Sequence, residues 1–205
     1  MASKKDLLLQ TASALFAQKG YHGTSLSDIL QESQVPKGSL YYYFPGGKEE
    51  LAAAAIAKAA AVIAAEIQEH GKNQVGIAAL THHLTALADT IESLESSVCP
   101  FSFSLLALES RTGAPAVREA CRQGFLCLQE AYASFFEQDG FSAETAAQFS
   151  QTISSCIEGA LVLCAAEGSG NPLRQQISVL QTLYLTLKEN RVCPQYQIPE
   201  FFYFC

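Results

Sequence analysis

The run Lys37-Gly38-Ser39-Leu40-Tyr41-Tyr42-Tyr43-Phe44, followed after Pro45-Gly46-Gly47 by Lys48, holds the densest contact chemistry in the chain. Wound as a helix, it would place Leu40, Tyr43 and Phe44 within about 100° of one another, free to pack on Phe16, Ile29 and Val35. Gly38, Ser39 and Tyr42 then face outward, with Tyr41 on the flank. A bare Cα at Gly38 permits close approach, and Ser39 can donate to a phosphate or a base edge. Tyr42 offers a ring edge for thymine methyls and a hydroxyl for hydrogen bonding. Lys37 stands at the helix N-terminus, where the dipole also favours anions. Lys48 starts the next helix beside the Gly46-Gly47 amides, and Lys4 and Lys5 form a small N-terminal arm. This is chemistry for meeting a nucleic-acid duplex.

Catalytic chemistry is hard to assemble elsewhere. His82 and His83 are adjacent, so on a helix they diverge by about 100° and suit no single metal ion. Cys156 and Cys164 share a helical face but sit about 12 Å apart along it, too far for a disulfide. Gly168-Ser169-Gly170 lacks the Lys-Ser/Thr of a phosphate loop and reads as a turn. With no Ser-His-acid or Cys-His constellation in view, neither an enzyme, a metal site nor a cofactor is expected.

Composition narrows the class further. The chain has 205 residues, 49% of them hydrophobic and 16% charged, which is too apolar for intrinsic disorder. The net charge of −7 excludes a uniformly basic nucleic-acid wrapper. That charge is unevenly spread: residues 1–50 carry five Lys against five acids, whereas residues 51–205 carry eight basic and fifteen acidic residues. Ser96–Leu108, uncharged over 13 residues, falls short of the roughly 20 apolar residues a membrane span needs, and no span is expected. Asp6 interrupts any signal-peptide pattern, and seven Cys without a C-x-x-C pair fit reduced thiols in a cytoplasm.

The elements that must position these residues are helical throughout, with apolar residues recurring at 3.6 spacing and no strand-like alternation. Helices are expected at about 4–18, 26–34 (capped at Thr24 or Ser25, with Asp28 closing a shortened capping box), 37–44, 48–70, 75–94, 102–110, 115–138, 142–167 and 172–190 (with Asn171 as its cap). The fourth is an Ala-rich rod, ten Ala in the fifteen residues from Leu51 to Ala65. The fold class is therefore all-α, about nine helices: a head of three, residues 1–46, and a body of six, residues 47–205. A longer helix followed by two short ones across a tight turn has the form of a helix-turn-helix, with 37–44 as its recognition helix. Phe201-Phe202-Tyr203-Phe204-Cys205 ends the chain with four aromatics, either packed on the body or docking a partner.

Residues 15–51, L-F-A-Q-K-G-Y-H-G-T-S-L-S-D-I-L…V-P-K-G-S-L-Y-Y-Y-F…K-E-E-L, resemble the DNA-binding head of the TetR family of bacterial repressors. The P-G-G-K connection and the S-x-C-P-F stretch at 97–101 are similar to the drug-responsive subgroup around the lincomycin-resistance regulator. Carried onto this sequence, the resemblance puts phosphate contacts at Ser25, Ser39, Tyr41, Tyr43 and Lys48, and base-reading positions at Lys37, Gly38 and Tyr42. Two departures bear on the operator. Tyr43 stands where the family usually has His, and residues 1–50 contain no Arg, leaving guanine readout to Lys37.

The resemblance also implies an effector site between the rod (residues 47–70) and the helices after it. Ile67, Leu84, Leu87, Phe101, Phe103, Leu106, Phe125, Leu128 and Tyr132 are the candidates, with Glu109 as the acid; a plain core would use the same residues. Such a pocket, rich in Phe with a few hydroxyls, suits a flat aromatic or amphiphilic molecule. In helices 142–190, Phe149, Ile153, Ile157, Leu161, Leu180, Leu183, Tyr184 and Leu187 are expected to meet a second copy, or else to be buried within one chain. The function implied is a cytoplasmic, ligand-responsive repressor that binds a pseudo-palindromic double-stranded operator as a homodimer. Two alternatives stand beside it: a thiol sensor using Cys99, Cys121 or Cys127 on the same frame, and a helical ligand-binding protein that does not bind DNA.

Overall fold

The computed structural model of the chain describes residues 3–93 and 103–192. Phe101, Cys99 and the aromatic C-terminal segment lie outside the described residues. Among the described residues there are nine α-helices and no strands: α1 (Lys4–Lys19), α2 (Leu26–Ser33), α3 (Lys37–Tyr43), α4 (Lys48–Gly71), α5 (Gly76–Ser93), α6 (Phe103–Glu109), α7 (Pro115–Gln138), α8 (Ala143–Glu167) and α9 (Asn171–Val192).

Local chemistry sets the boundaries. Ser3 caps α1 by accepting from the Asp6 amide at 3.0 Å, and Gly20, at φ 71°, ends it. The buried Thr24 hydroxyl donates to the Leu15 and Gly20 carbonyls, pinning the chain as it leaves α1. Ser25 and Asp28 form a complete capping box on α2, each side chain accepting the other's amide. Gln34, in the left-handed region at φ 55°, turns the chain toward Pro36 and α3. Leu40 and Phe44 are then driven into a core shared with Leu8, Phe16, Ile29 and Leu51. Burying two such side chains contributes about 1.5–3 kcal/mol each, enough to fix a helix too short to hold alone.

The Ala-rich face of α4 lets it lie close along α7, its main partner, and α1 also packs on it. The Lys58–Asp6 ion pair, 2.8 Å, adds an exposed tie between α4 and α1. A side chain at Gly71 would stand within 2.5 Å of the Phe135 ring, so the last turn of α4 depends on glycine for its contact with α7. At the far end, Arg174 of α9 pairs with Asp89 and Glu92 of α5 at 2.8 and 2.7 Å. Asn171 opens α9 rather than capping it, its amide accepted by the Ser169 hydroxyl.

One helix qualifies the expectation that no segment could span a bilayer. By length and composition α8 is apolar enough to do so. In the fold Phe149, Ile153 and Ala160 are buried, as α8 packs on α7 and α9.

Candidate nucleic-acid interface and effector cavity

α3 presents the outward face that its sequence predicts. Lys37 and Gly38 are exposed and Ser39 is partly so, while Tyr42, at 80% exposure, is the most exposed large apolar side chain among the described residues. Open space surrounds the Gly38 Cα: a Cβ there would meet nothing within 4 Å. Tyr43, half-buried, packs edge-on against Tyr42 with ring centres 5.0 Å apart. The Lys37 ammonium lies 6.0 Å from the centre of the Tyr41 ring. The Gly47 turn, at φ 70°, lies against Leu26 and Tyr41, so α2, α3 and the start of α4 form one continuous surface. Ser25 is exposed on that surface, but its hydroxyl already bonds Asp28. The Ser25 backbone N–H, and then its hydroxyl, donate to the Asp28 carboxylate and hold it below its usual range.

Lys48 is less free than a phosphate contact drawn from sequence alone. Its ammonium sits 4.2 Å from the centre of the Tyr21 ring, and partial burial pulls its pKa down, against the opposing pull of Glu109 and Asp28. The ring, at close cation–π range, fixes where the charge is held.

Glu109 is where the sequence reading needs correction. It does not line a cavity: its carboxylate accepts the backbone N–H of Tyr21 and fills the space beside Gly20, while His22 Nε2 bonds its carbonyl at 3.1 Å. Glu49 Oε1 reciprocates across the same seam, accepting the Ala116 amide in the first turn of α7 at 2.8 Å. The reason is positional. Glu109 is the last residue of the seven-residue α6, which points its C-terminal end at the α1–α2 turn.

The first residue of α6, Phe103, lines a solvent-open cavity of about 470 Å³ between α4, α5, α6, α7 and α8, within the usual range for ligand sites. Of the predicted residues Leu87, Phe103, Leu128 and Tyr132 line it. Ile67, Leu84 and Leu106 are instead fully packed core, and Phe125 lies behind Phe103, 5.6 Å ring to ring, on an outer groove with Ser104 and Gln129. The sequence reading missed the polar lining: Glu66 and His70 of α4, His83 and Thr90 of α5, Glu158 of α8. A signal existed. Ile63, Glu66 and His70 recur at i, i+3 and i+7 on one face of the Ala-rich rod.

His83 is buried and fully engaged, its Nδ1 3.0 Å from His70 Nδ1 and its Nε2 3.1 Å from the Tyr132 hydroxyl. Burial, with His70 and His82 close by, pushes its pKa down to about 4, so it is neutral near pH 7. The neutral ring has two tautomers, and these run the His70–His83–Tyr132 chain in opposite senses. Burial and the nearby Glu158 raise the Tyr132 phenol and keep it protonated. The same causes push the buried Cys121 thiol up to about 11, which argues against it as a reactive thiolate.

The residues expected to meet a second copy are all at least partly buried within this one chain. Phe149, Ile153, Leu180 and Tyr184 are buried inside this one chain, Phe136 packing on Phe149 and Tyr184, while Ile157 and Leu161 line the cavity and Leu183 and Leu187 are half-buried against the core. Apolar periodicity marks the face a helix buries without saying in which chain it is buried. The outward faces of α8 and α9 instead carry Ser155, Gly159, Val162, Val179 and Leu185, with Val162, Val179 and Leu185 each more than half exposed.

Residues 8–55 match the family described as bacterial regulatory proteins of the tetR family, and residues 76–178 match the transcriptional regulator LmrA/YxaF-like C-terminal domain. The HTH-type transcriptional regulator YxaF of Bacillus subtilis is 33% identical over 180 residues, 86% of this chain and 94% of that protein. LmrA of the same organism is 32% identical over 173 residues, covering 82% and 90%. Among solved structures, a TetR transcriptional regulator from Legionella pneumophila superposes with TM-score 0.77 at 22% identity, over 90% of this chain and 98% of that one. The reduced form of Escherichia coli NemR gives 0.76 at 22%, over 87% and 95%.

Proposed function

The chain belongs to the TetR family of bacterial transcriptional regulators, and from that premise we propose that it is an effector-responsive repressor acting as a homodimer in the cytoplasm. The observation that carries the reading is the outer face of α3, where the bare Gly38 and the four-fifths exposed Tyr42 stand clear of the protein. An exposed tyrosine on the same helical face as a glycine with open space before it suits close contact with a groove.

In this reading α3 enters the major groove, Lys37, Gly38 and Tyr42 meet base edges, and Ser39, Tyr41, Tyr43 and Lys48 meet phosphates. The Ser25 hydroxyl and amide both stay with Asp28 in the free protein, so a phosphate contact there requires the capping box to open. Two copies join through the exposed faces of α8 and α9, around Gly159, Val162 and Val179. They place their α3 helices in half-sites about one turn, roughly 34–36 Å, apart or somewhat more.

Effector coupling runs through α6. Seven residues at 1.5 Å each make a lever of about 10 Å, with Phe103 on the cavity wall and Glu109 on the Gly20-Tyr21-His22 turn. A ligand that shifts Phe103 moves Glu109, and with it Tyr21 and the Lys48 ammonium on its ring. A difference of 1–3 kcal/mol between the two head spacings would weaken operator binding by about 5–150-fold. No step of this function is catalytic.

Electrophoretic retardation of the region upstream of its own gene tests the reading. Selective, salt-sensitive retention supports it. Equal affinity for shuffled DNA, or none at low ionic strength, rejects it.

A further inference from the structure

The cavity carries a chemical selectivity, and this inference rests on reading it as the effector site. We propose that it takes a lipophilic cation, an aromatic or alicyclic body bearing a quaternary or protonated amine, with Glu158 and Glu66 as its counter-charges.

Three observations carry this. Among the described residues no Lys or Arg lines the cavity. The two carboxylates come from different helices, α4 and α8, so their charge is presented to the cavity from two walls. Two further titratable groups that line it bring no positive charge near pH 7: His83 is held neutral and Tyr132 protonated by burial. An anion in such a space faces repulsion from both carboxylates, less screened at the half-buried Glu158 than at the exposed Glu66. A neutral hydrocarbon covers carboxylates without compensating them, which costs desolvation. A cation compensates both acids and can rest on the faces of Phe103 and Tyr132, where a desolvated cation–π contact is worth most.

The arrangement also gives a cation leverage. The Ser104 amide, in the first turn of α6, points at Glu158 Oε2 at 3.4 Å. A charge that draws Glu158 toward the cavity centre therefore acts on the helix whose other end holds the α1–α2 turn.

The test uses the full chain and three matched probes: 2-naphthyltrimethylammonium, its neutral isostere 2-tert-butylnaphthalene, and naphthalene-2-sulfonate, titrated by fluorescence and calorimetry. The cation should bind at least about tenfold more tightly than the neutral isostere, and the sulfonate weakest. Glu158→Gln and Glu66→Gln should each erase most of that preference while sparing affinity for the hydrocarbon. If Glu158→Gln fails to fold, Glu66→Gln carries the test, since Glu66 is exposed at the rim. Leu87→Trp, which fills the cavity, should abolish binding of the cation; persistent binding would mean attraction to the acidic surface and overturn the proposal. Equal or tighter binding of the neutral isostere or the sulfonate would overturn the charge selectivity and leave the effector cavity standing. Failure of all three probes to bind would overturn both.

Discussion

Gly38→Ala separates what α3 needs to fold from what it needs to work. Residue 38 is exposed, second in its helix, and a Cβ there meets nothing within 4 Å, so the substitution brings no clash within the protein. It removes glycine's helix penalty, up to about 1 kcal/mol and less in a first turn. At about 2–4 °C per kcal/mol for a chain of this size, the variant should melt at an equal or slightly higher temperature than the parent, by up to about 4 °C. On DNA the sign reverses. If the bare Cα faces base edges at van der Waals distance, an added methyl must push α3 outward and weaken base readout by about 1–3 kcal/mol, or about 5–150-fold in affinity. Calorimetric melting of the free protein and fluorescence anisotropy on its upstream duplex would read the two effects separately. A variant that is at least as stable and binds with full affinity would refute the placement of this face in the groove.

Lys48→Ala should weaken binding to operator and random DNA alike. It should also lower the salt slope of log affinity by about 1.8 for a dimer, about 0.9 for each phosphate that is no longer neutralised. Tyr42→Ala should leave that slope unchanged and reduce the preference for operator; anisotropy measured across a salt titration distinguishes the two. Glu109→Ala removes the acceptor for the Tyr21 amide, so hydrogen exchange at Tyr21 should accelerate at least about tenfold while amides in the middle of α1 keep their protection. The fourth prediction concerns pH. The unfolded state takes up a proton at His83 near pH 6.5 and the folded state only near pH 4, so stability is lost as pH falls through that window. Between about pH 6.5 and pH 5 the loss should be about 2 kcal/mol. Urea melts of His83→Gln against the parent should show that slope removed; His70, His82, Glu66 and Glu158, which face the same site, remain in both proteins.

The elements were legible because local signals agreed with one another. Pro115 opens α7, Ser142 caps α8, and the Ser25–Asp28 box stands where its spacing put it. The outward face of α3 also followed from helical phase, since seven residues leave little freedom in which side the apolar ones must turn. The body resisted for a different reason. Ile67, Leu84 and Leu87 are all apolar residues on inward faces, yet only Leu87 borders empty space. The distinction between core and cavity wall depends on how five helices splay, which periodicity along one helix does not encode. Ile157 and Leu161, expected against a partner, face the cavity for the same cause. Glu109 shows the limit most sharply: its contacts at Tyr21 and His22 lie 88 and 87 residues away in sequence. The polar lining was missed because His70 and Glu66 look like solvated residues on an Ala-rich rod until α5 and α8 put a cavity beside them.

Hydroxyl-radical footprinting on the region upstream of its own gene bears most directly on the claim that two α3 helices read one duplex. The account predicts two short protected patches on one face of the DNA, about one helical turn apart or somewhat more, both lost with Tyr42→Ala at a protein concentration where the parent protects fully. A single patch, uniform protection, or a footprint indifferent to residue 42 would contradict it.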